Sequence, residues 1–291
     1  MAPGLVAGEV VRSGWFPAGD RWRRPRRFDR WAVAATDGTA IKRVVGLPGE
    51  QLALRDGDVV IDGRVAFKGP RLLAELGRAV APGTPHTATS RLNDERWAAP
   101  PREVLDDSGV KTVRSHVLLP VRDVGVAAVL RVQKVPPEGF VRVRVQVGSR
   151  LVPWRLTATG WHAIVAGRLD GHLVAAAWQL PAAGPSDESI RSCLPAGAPA
   201  RWQVAEPWSA NGVDEPMSPQ LAIRCEAPHH VVALERACVW RDVLYRLGAN
   251  AGDSWSLAAD ECFLLGDHPA ASTDSRQWGP IPLTRLRHHI P

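Results

Sequence analysis

The chain has 291 residues, 45% of them hydrophobic, and a formal net charge of +6. That length buries a sizeable core in one or two domains, and the apolar share is that of an ordinary globular protein. No stretch reaches the roughly 18 apolar residues of a transmembrane helix, and no signal peptide is visible at the start, so the chain as written is expected to be soluble.

The first third reads as strands, in short apolar runs at 8–16, 31–36 and 41–45. Between the first two, Arg21, Arg23, Arg24, Arg26, Arg27 and Arg30 crowd together with Trp22, Phe28 and Trp31. Such a patch suits anionic lipid or nucleic acid, or is simply a solvated loop. Runs at 59–61 and 65–67 flank Asp62-Gly63-Arg64, and Asp-Gly supplies the positive φ of a tight hairpin.

Helical spacing then runs over 72–80, and Pro82, Pro85, Pro100 and Pro101 interrupt the next stretch. Residues 68–115 therefore read as an irregular insertion with one or two short helices. Strands resume at Val117. The run 141–147 alternates valine with Arg142, Arg144 and Gln146, as a half-buried strand does. Runs at 154–157, 162–165 and 173–178 continue the series, with a second hairpin turn at Leu169-Asp170-Gly171-His172. Residues 181–199 read as a loop, before strands at 231–234, 237–247 and 261–265.

Cys193, Cys225, Cys238 and Cys262 form no CxxC pair, which argues against zinc; buried thiols and one or two disulfides both stay open. His229-His230 and His288-His289 lack ligand spacing, so no metal and no cofactor are expected.

Two motifs carry chemistry. Ile41-Lys42-Arg43-Val44-Val45 sets a lysine in an apolar run that Gly46-Leu47-Pro48-Gly49 stops. Burial lowers a lysine's pKa, and a neutral amine is a general base. Far downstream stands Gly266-Asp267-His268-Pro269-Ala270-Ala271-Ser272-Thr273-Asp274-Ser275-Arg276-Gln277-Trp278-Gly279-Pro280. Together these segments resemble the lysine box and the closing Gly-Asp…Ser-x-Asp-Ser-Arg box of the type I signal peptidases, which are Ser-Lys serine peptidases.

The resemblance implies a mostly β fold, with a discontinuous catalytic core (1–69 and 236–291) around an inserted β-rich domain (70–235) and a few short helices. It implies Lys42 as general base, Ser272 as the hydroxyl that orients it, and Asp274 with Arg276 as a supporting ion pair that Arg43 joins. Met1, Leu5, Ala35, Ile41 and Arg43 are expected to line the substrate cleft. His268 replaces the family's usual asparagine. Met1, Pro3 and Leu5 fall on the family's nucleophile box, whose serine would sit one residue before Met1 and is absent from these residues.

The implied activity is removal of signal peptides from exported preproteins at the outer face of a bacterial inner membrane. The expected partners are preprotein signal peptides and the membrane surface, with no nucleic acid. A catalytically inactive relative that binds peptides or proteins is the alternative. A self-cleaving repressor of related fold is disfavoured, because no helix-turn-helix accompanies the motifs.

Overall fold

The computed structural model describes residues 24–35, 38–80, 96–98, 104, 120–184, 194, 197–208, 219–228, 230–247 and 253–290. Strands dominate them, with two short α-helices, Pro70–Leu76 and Ser275–Trp278; the chain is mostly β. The expected run at 8–16 lies outside the described residues.

These residues fall into two compact units. Those from Phe67 to Asp242 form one, here the inserted unit; those before Phe67 and after Asp242 form the other, the split unit. The later junction lies beyond 236 for a local reason. Val232–Arg241 is one strand whose register shifts between Leu234 and Arg236. Glu235 is the extra residue of that bulge, so it interrupts the apolar pattern without ending the strand.

In the split unit, a five-stranded sheet has the order Ile281–Pro282, Glu261–Leu265, Gly38–Gly46, Arg30–Ala35, Leu286–Ile290. Trp31, Val33, Val44, Cys262, Leu264 and Ile281 pack into its core. Lys42 thus sits on the middle strand. A second sheet holds Gln51–Arg55, Asp58–Ile61 and Arg64–Val65, with Ser254–Ser256 at its edge. Its hairpin turns at Asp62 (φ 48°) and Gly63 (φ 80°), between the paired Ile61 and Arg64. Positive φ at both central residues is the type I′ geometry that matches strand twist.

The inserted unit has a six-stranded and a four-stranded sheet. Val126, Ala128, Leu130 and Val132 of the larger share one core with Val141, Val143, Val145 and Val147 of the smaller. On the larger sheet's other face, Ala127, Val165, Val174 and Trp240 pack with Leu73 of the Pro70–Leu76 helix. Cover on both faces explains why Val124–Val132 is almost wholly buried while Val141–Val147 alternates. A Cβ on Gly125 or Gly167 would come 2.3 or 2.4 Å from the Trp240 ring, so both positions need glycine. Cys238 is disulfide-bonded, and Cys225 and Cys262 are buried thiols.

An ionic cluster is buried in this unit. The Lys68 ammonium, 2% exposed, pairs with Asp170 and lies 2.9 Å from Asp242. The Lys68 amide donates to Asp170 Oδ2 at 2.7 Å, and the Asp170 amide donates to Asp123 Oδ2 at 2.7 Å. Burial pushes the Asp170 carboxyl up to about 6; Lys68 pulls it down, and the Asp242 charge adds to the rise. Burial and Asp242 raise Asp123 as well.

A raised carboxyl binds its proton more tightly folded than unfolded. Between its ordinary value and about 6, stability therefore falls as pH rises, and the loss is complete above that window. Thermal unfolding followed by circular dichroism is expected to give a higher Tm near pH 5 than near pH 7.5. Asp242→Asn, which removes one of the raising charges, is expected to flatten that difference. A Tm difference unchanged by Asp242→Asn would refute this account.

Candidate active site

The middle strand turns alternate side chains to opposite faces. Lys42 shares a face with Val44 and its cross-strand partner Trp31, both buried. Its Nζ donates to Ser272 Oγ at 2.8 Å, joining residues 230 apart in sequence, and lies 5.8 Å from the centre of the Trp278 ring. Lys42 is half-buried, so the amine stands at the border of the apolar core.

Glycine at 266 makes this contact possible. It directly follows the Glu261–Leu265 strand, which pairs with the Lys42 strand. A Cβ there would lie 2.0 Å from Ser272 Oγ, 2.5 Å from Ser272 Cβ and 3.5 Å from Lys42 Nζ. No real side chain tolerates the first two distances.

A fully buried carboxylate fixes the Ser272 loop. Asp274 caps the Ser275–Trp278 helix through a capping box with Gln277, a sequence device that satisfies orphan amides. Its Oδ2 accepts from the Gly266 amide at 2.9 Å. Arg276 grips the same carboxylate with Nε and Nη2, both at 2.9 Å. Nη2 also donates to the carbonyls of Pro269 and Ser272, and Nη1 to that of Arg246. Asp274 is 0% exposed and Arg276 6%. Ser275 Oγ accepts from the Leu264 amide at 3.0 Å. One planar, bidentate pair therefore ties the loop, the helix and the end of the strand together.

Arg43 departs from expectation. It does not join Asp274 and Arg276, but grips Asp267 with Nε at 2.8 Å and Nη2 at 2.7 Å, while Nη1 donates to the Phe28 carbonyl at 2.8 Å. Its side chain is 2% exposed, and strand alternation sends it to the face opposite Lys42. Arg43 is thus a brace for the start of the 266–272 loop and not part of an open cleft. The reason is loop geometry: Asp267 follows by two residues Leu265, the cross-strand partner of Arg43.

Ile41 is half-buried and pairs with Ala32. Ala35 ends its strand, its backbone paired with Gly38. Met1 and Leu5 lie outside the described residues. Gly266, Asp267 as partner of Arg43, and Trp278 as neighbour of Lys42 were missed as site residues. The closing motif contains all three, but only the folded loop shows what they touch.

Of the arginine stretch, Arg21, Trp22 and Arg23 lie outside the described residues, and the remainder is only partly a solvated patch. Arg24 and Arg26 are exposed, but Arg27 pairs with Glu50 at 2.6 Å and donates to the Val45 carbonyl. Burial pushes the Cys262 thiol up to about 12, which keeps it protonated and unsuited to act as a nucleophile. Among the described residues, no helix is long and apolar enough to cross a membrane.

One family model, signal peptidase, peptidase S26, matches residues 1–104. The match supports the type I signal peptidase family for this chain, and with it signal peptidase I-like serine peptidase function at family level. It includes Lys42 and Arg43; Ser272, Asp274 and Arg276 lie beyond it. No curated protein matches the chain.

Proposed function

We propose that the chain is a signal peptidase I-like endopeptidase that removes signal peptides from exported preproteins by a Ser-Lys mechanism. The observation that carries this reading is the 2.8 Å contact between Lys42 Nζ and Ser272 Oγ, with a glycine leaving room for it. In this mechanism Lys42, when neutral, takes the proton of the attacking serine and later gives it to the leaving amine. The Ser272 hydroxyl orients the amine without adding a charge, and the Asp274–Arg276 pair holds Ser272 in place. The attacking serine belongs one position before Met1. The reaction needs no cofactor. The disulfide at Cys238 fits work in an oxidising compartment, such as the outer face of a bacterial inner membrane.

The test is a chain extended by the upstream segment, with serine before Met1, incubated with a preprotein. Cleavage at the signal-peptide junction is expected, and Lys42→Ala is expected to abolish it. An extended chain that cleaves equally well without Lys42 would refute the mechanism. One that binds preprotein and never cleaves it would favour a binding module.

A further inference from the structure

We propose that the outward face of the four-stranded sheet in the inserted unit is a docking surface for an anionic lipid bilayer. Strands Val141–Val147 and Arg150–Leu156 turn alternate residues outward. Arg142, Arg155 and Arg224 are exposed, and the Arg144 side chain is 42% exposed. The register sets Arg144 directly opposite Arg224 and Arg142 directly opposite Arg155. Like charges placed directly opposite destabilise a ladder, so the face calls for counter-anions.

Among the described residues Glu226 supplies one, 2.6 Å from Arg144 and 3.6 Å from Arg142. Arg142 and Arg155 also stand over the Phe140 ring, at 5.6 and 4.8 Å. Among the described residues, Arg224 has no ion pair. A cavity of about 220 Å³ opens between Arg144, Gln146, Ala222 and Arg224, walled by Leu151.

Leu151 selects the occupant. It is 60% exposed, and Pro153 is the next outward residue on its strand. Guanidiniums beside a protruding leucine suit a lipid interface, where cations meet headgroup phosphates and the apolar side chain enters the acyl boundary. A free phosphate would use the arginines and leave Leu151 in water. A peptide added as a further strand is disfavoured, because Pro153 offers no ladder donor on this edge.

The proposal goes beyond the peptidase reading, and its test requires no cleavage. In vesicle flotation at low salt, the full chain is expected to float with phosphatidylcholine vesicles carrying phosphatidylglycerol and not with phosphatidylcholine alone. Arg144→Ser with Arg224→Ser is expected to lower partitioning roughly 25-fold, about fivefold per arginine. Leu151→Ser is expected to lower it severalfold and leave its salt dependence unchanged. All three positions are on the surface, and circular dichroism checks that the variants fold. Arg24→Ser with Arg26→Ser tests the other basic stretch. The proposal is overturned if the Arg144/Arg224 variant floats like the parent, or if only the Arg24/Arg26 variant loses binding. It is also overturned if the parent binds both vesicle types alike, or if inorganic phosphate alone displaces it fully.

Discussion

In the serine-extended chain, Gly266→Ala is expected to lower kcat by about 100-fold or more with little change in KM. The added methyl would sit 2.0 Å from Ser272 Oγ and 2.5 Å from Ser272 Cβ, so Ser272 must retreat by an ångström or more. Displacements of that size cost about 100-fold where a catalytic group must be aimed, and general-base catalysis contributes about 100- to 10,000-fold. Ser272 cannot retreat far at low cost, because its carbonyl accepts from Arg276 and that arginine is locked to Asp274. Part of the strain therefore falls on Lys42. Gly266 has no positive φ, so the penalty is steric, and overpacking costs about 1–3 kcal/mol of stability.

The kcat and KM split separates positioning from substrate binding. Gly266→Ala combined with Ser272→Gly relieves the clash without restoring the hydroxyl. It is expected to recover stability and not kcat. Full activity in Gly266→Ala would mean that the Lys42–Ser272 contact has no part in catalysis.

The features legible in the sequence and those hidden from it divide along one physical line. Features set by local chemistry were readable. Asp62-Gly63 and Asp170-Gly171 had to turn tightly, because Asp-Gly tolerates the positive φ found at all four residues. The alternation at 141–147 announced a strand with one wet face. The closing motif was readable as a unit because the Asp274 carboxylate holds both the Gly266 amide and the Arg276 guanidinium within a dozen residues.

Pairings that depend on distant chain segments were not readable. Arg43 had two carboxylates within the same motif to choose from, and only the path of the 266–272 loop decides for Asp267. The Glu235 bulge looks in sequence like a break between two strands. The contact of Trp240 with Gly125 and Gly167 depends on strand order, which local patterns do not specify. Lys68 gave no signal at all, since its partners Asp170 and Asp242 come from far along the chain and Asp170 reads as a turn residue.

Lys68→Met is expected to destabilise the inserted unit by about 3–5 kcal/mol, the usual cost of removing one member of a buried charge pair. The loss has little to do with packing, because methionine fills much of the lysine's volume. It comes from leaving Asp170 and Asp242, 0% and 2% exposed, without their shared cation. Asp170 already holds its proton up to about 6 with Lys68 present. Without Lys68, desolvation and the repulsion from Asp242 and Asp123 act unopposed by their largest counterweight. Asp170 must then either stay charged at high cost or take up a proton.

The cost is therefore pH-dependent with a definite sign: greater at pH values above the carboxyl's folded pKa, smaller below it. Urea unfolding near pH 5 and near pH 8 measures both ends. Adding Asp242→Asn to Lys68→Met is expected to recover part of the loss, because it removes a charge that the lysine no longer balances. A penalty under about 1 kcal/mol, equal at both pH values, would show that Lys68 does not hold the cluster together. The magnitude matters because total stability is itself only about 5–15 kcal/mol. A single lysine paired with two buried carboxylates thus carries a large share of what keeps the inserted unit folded.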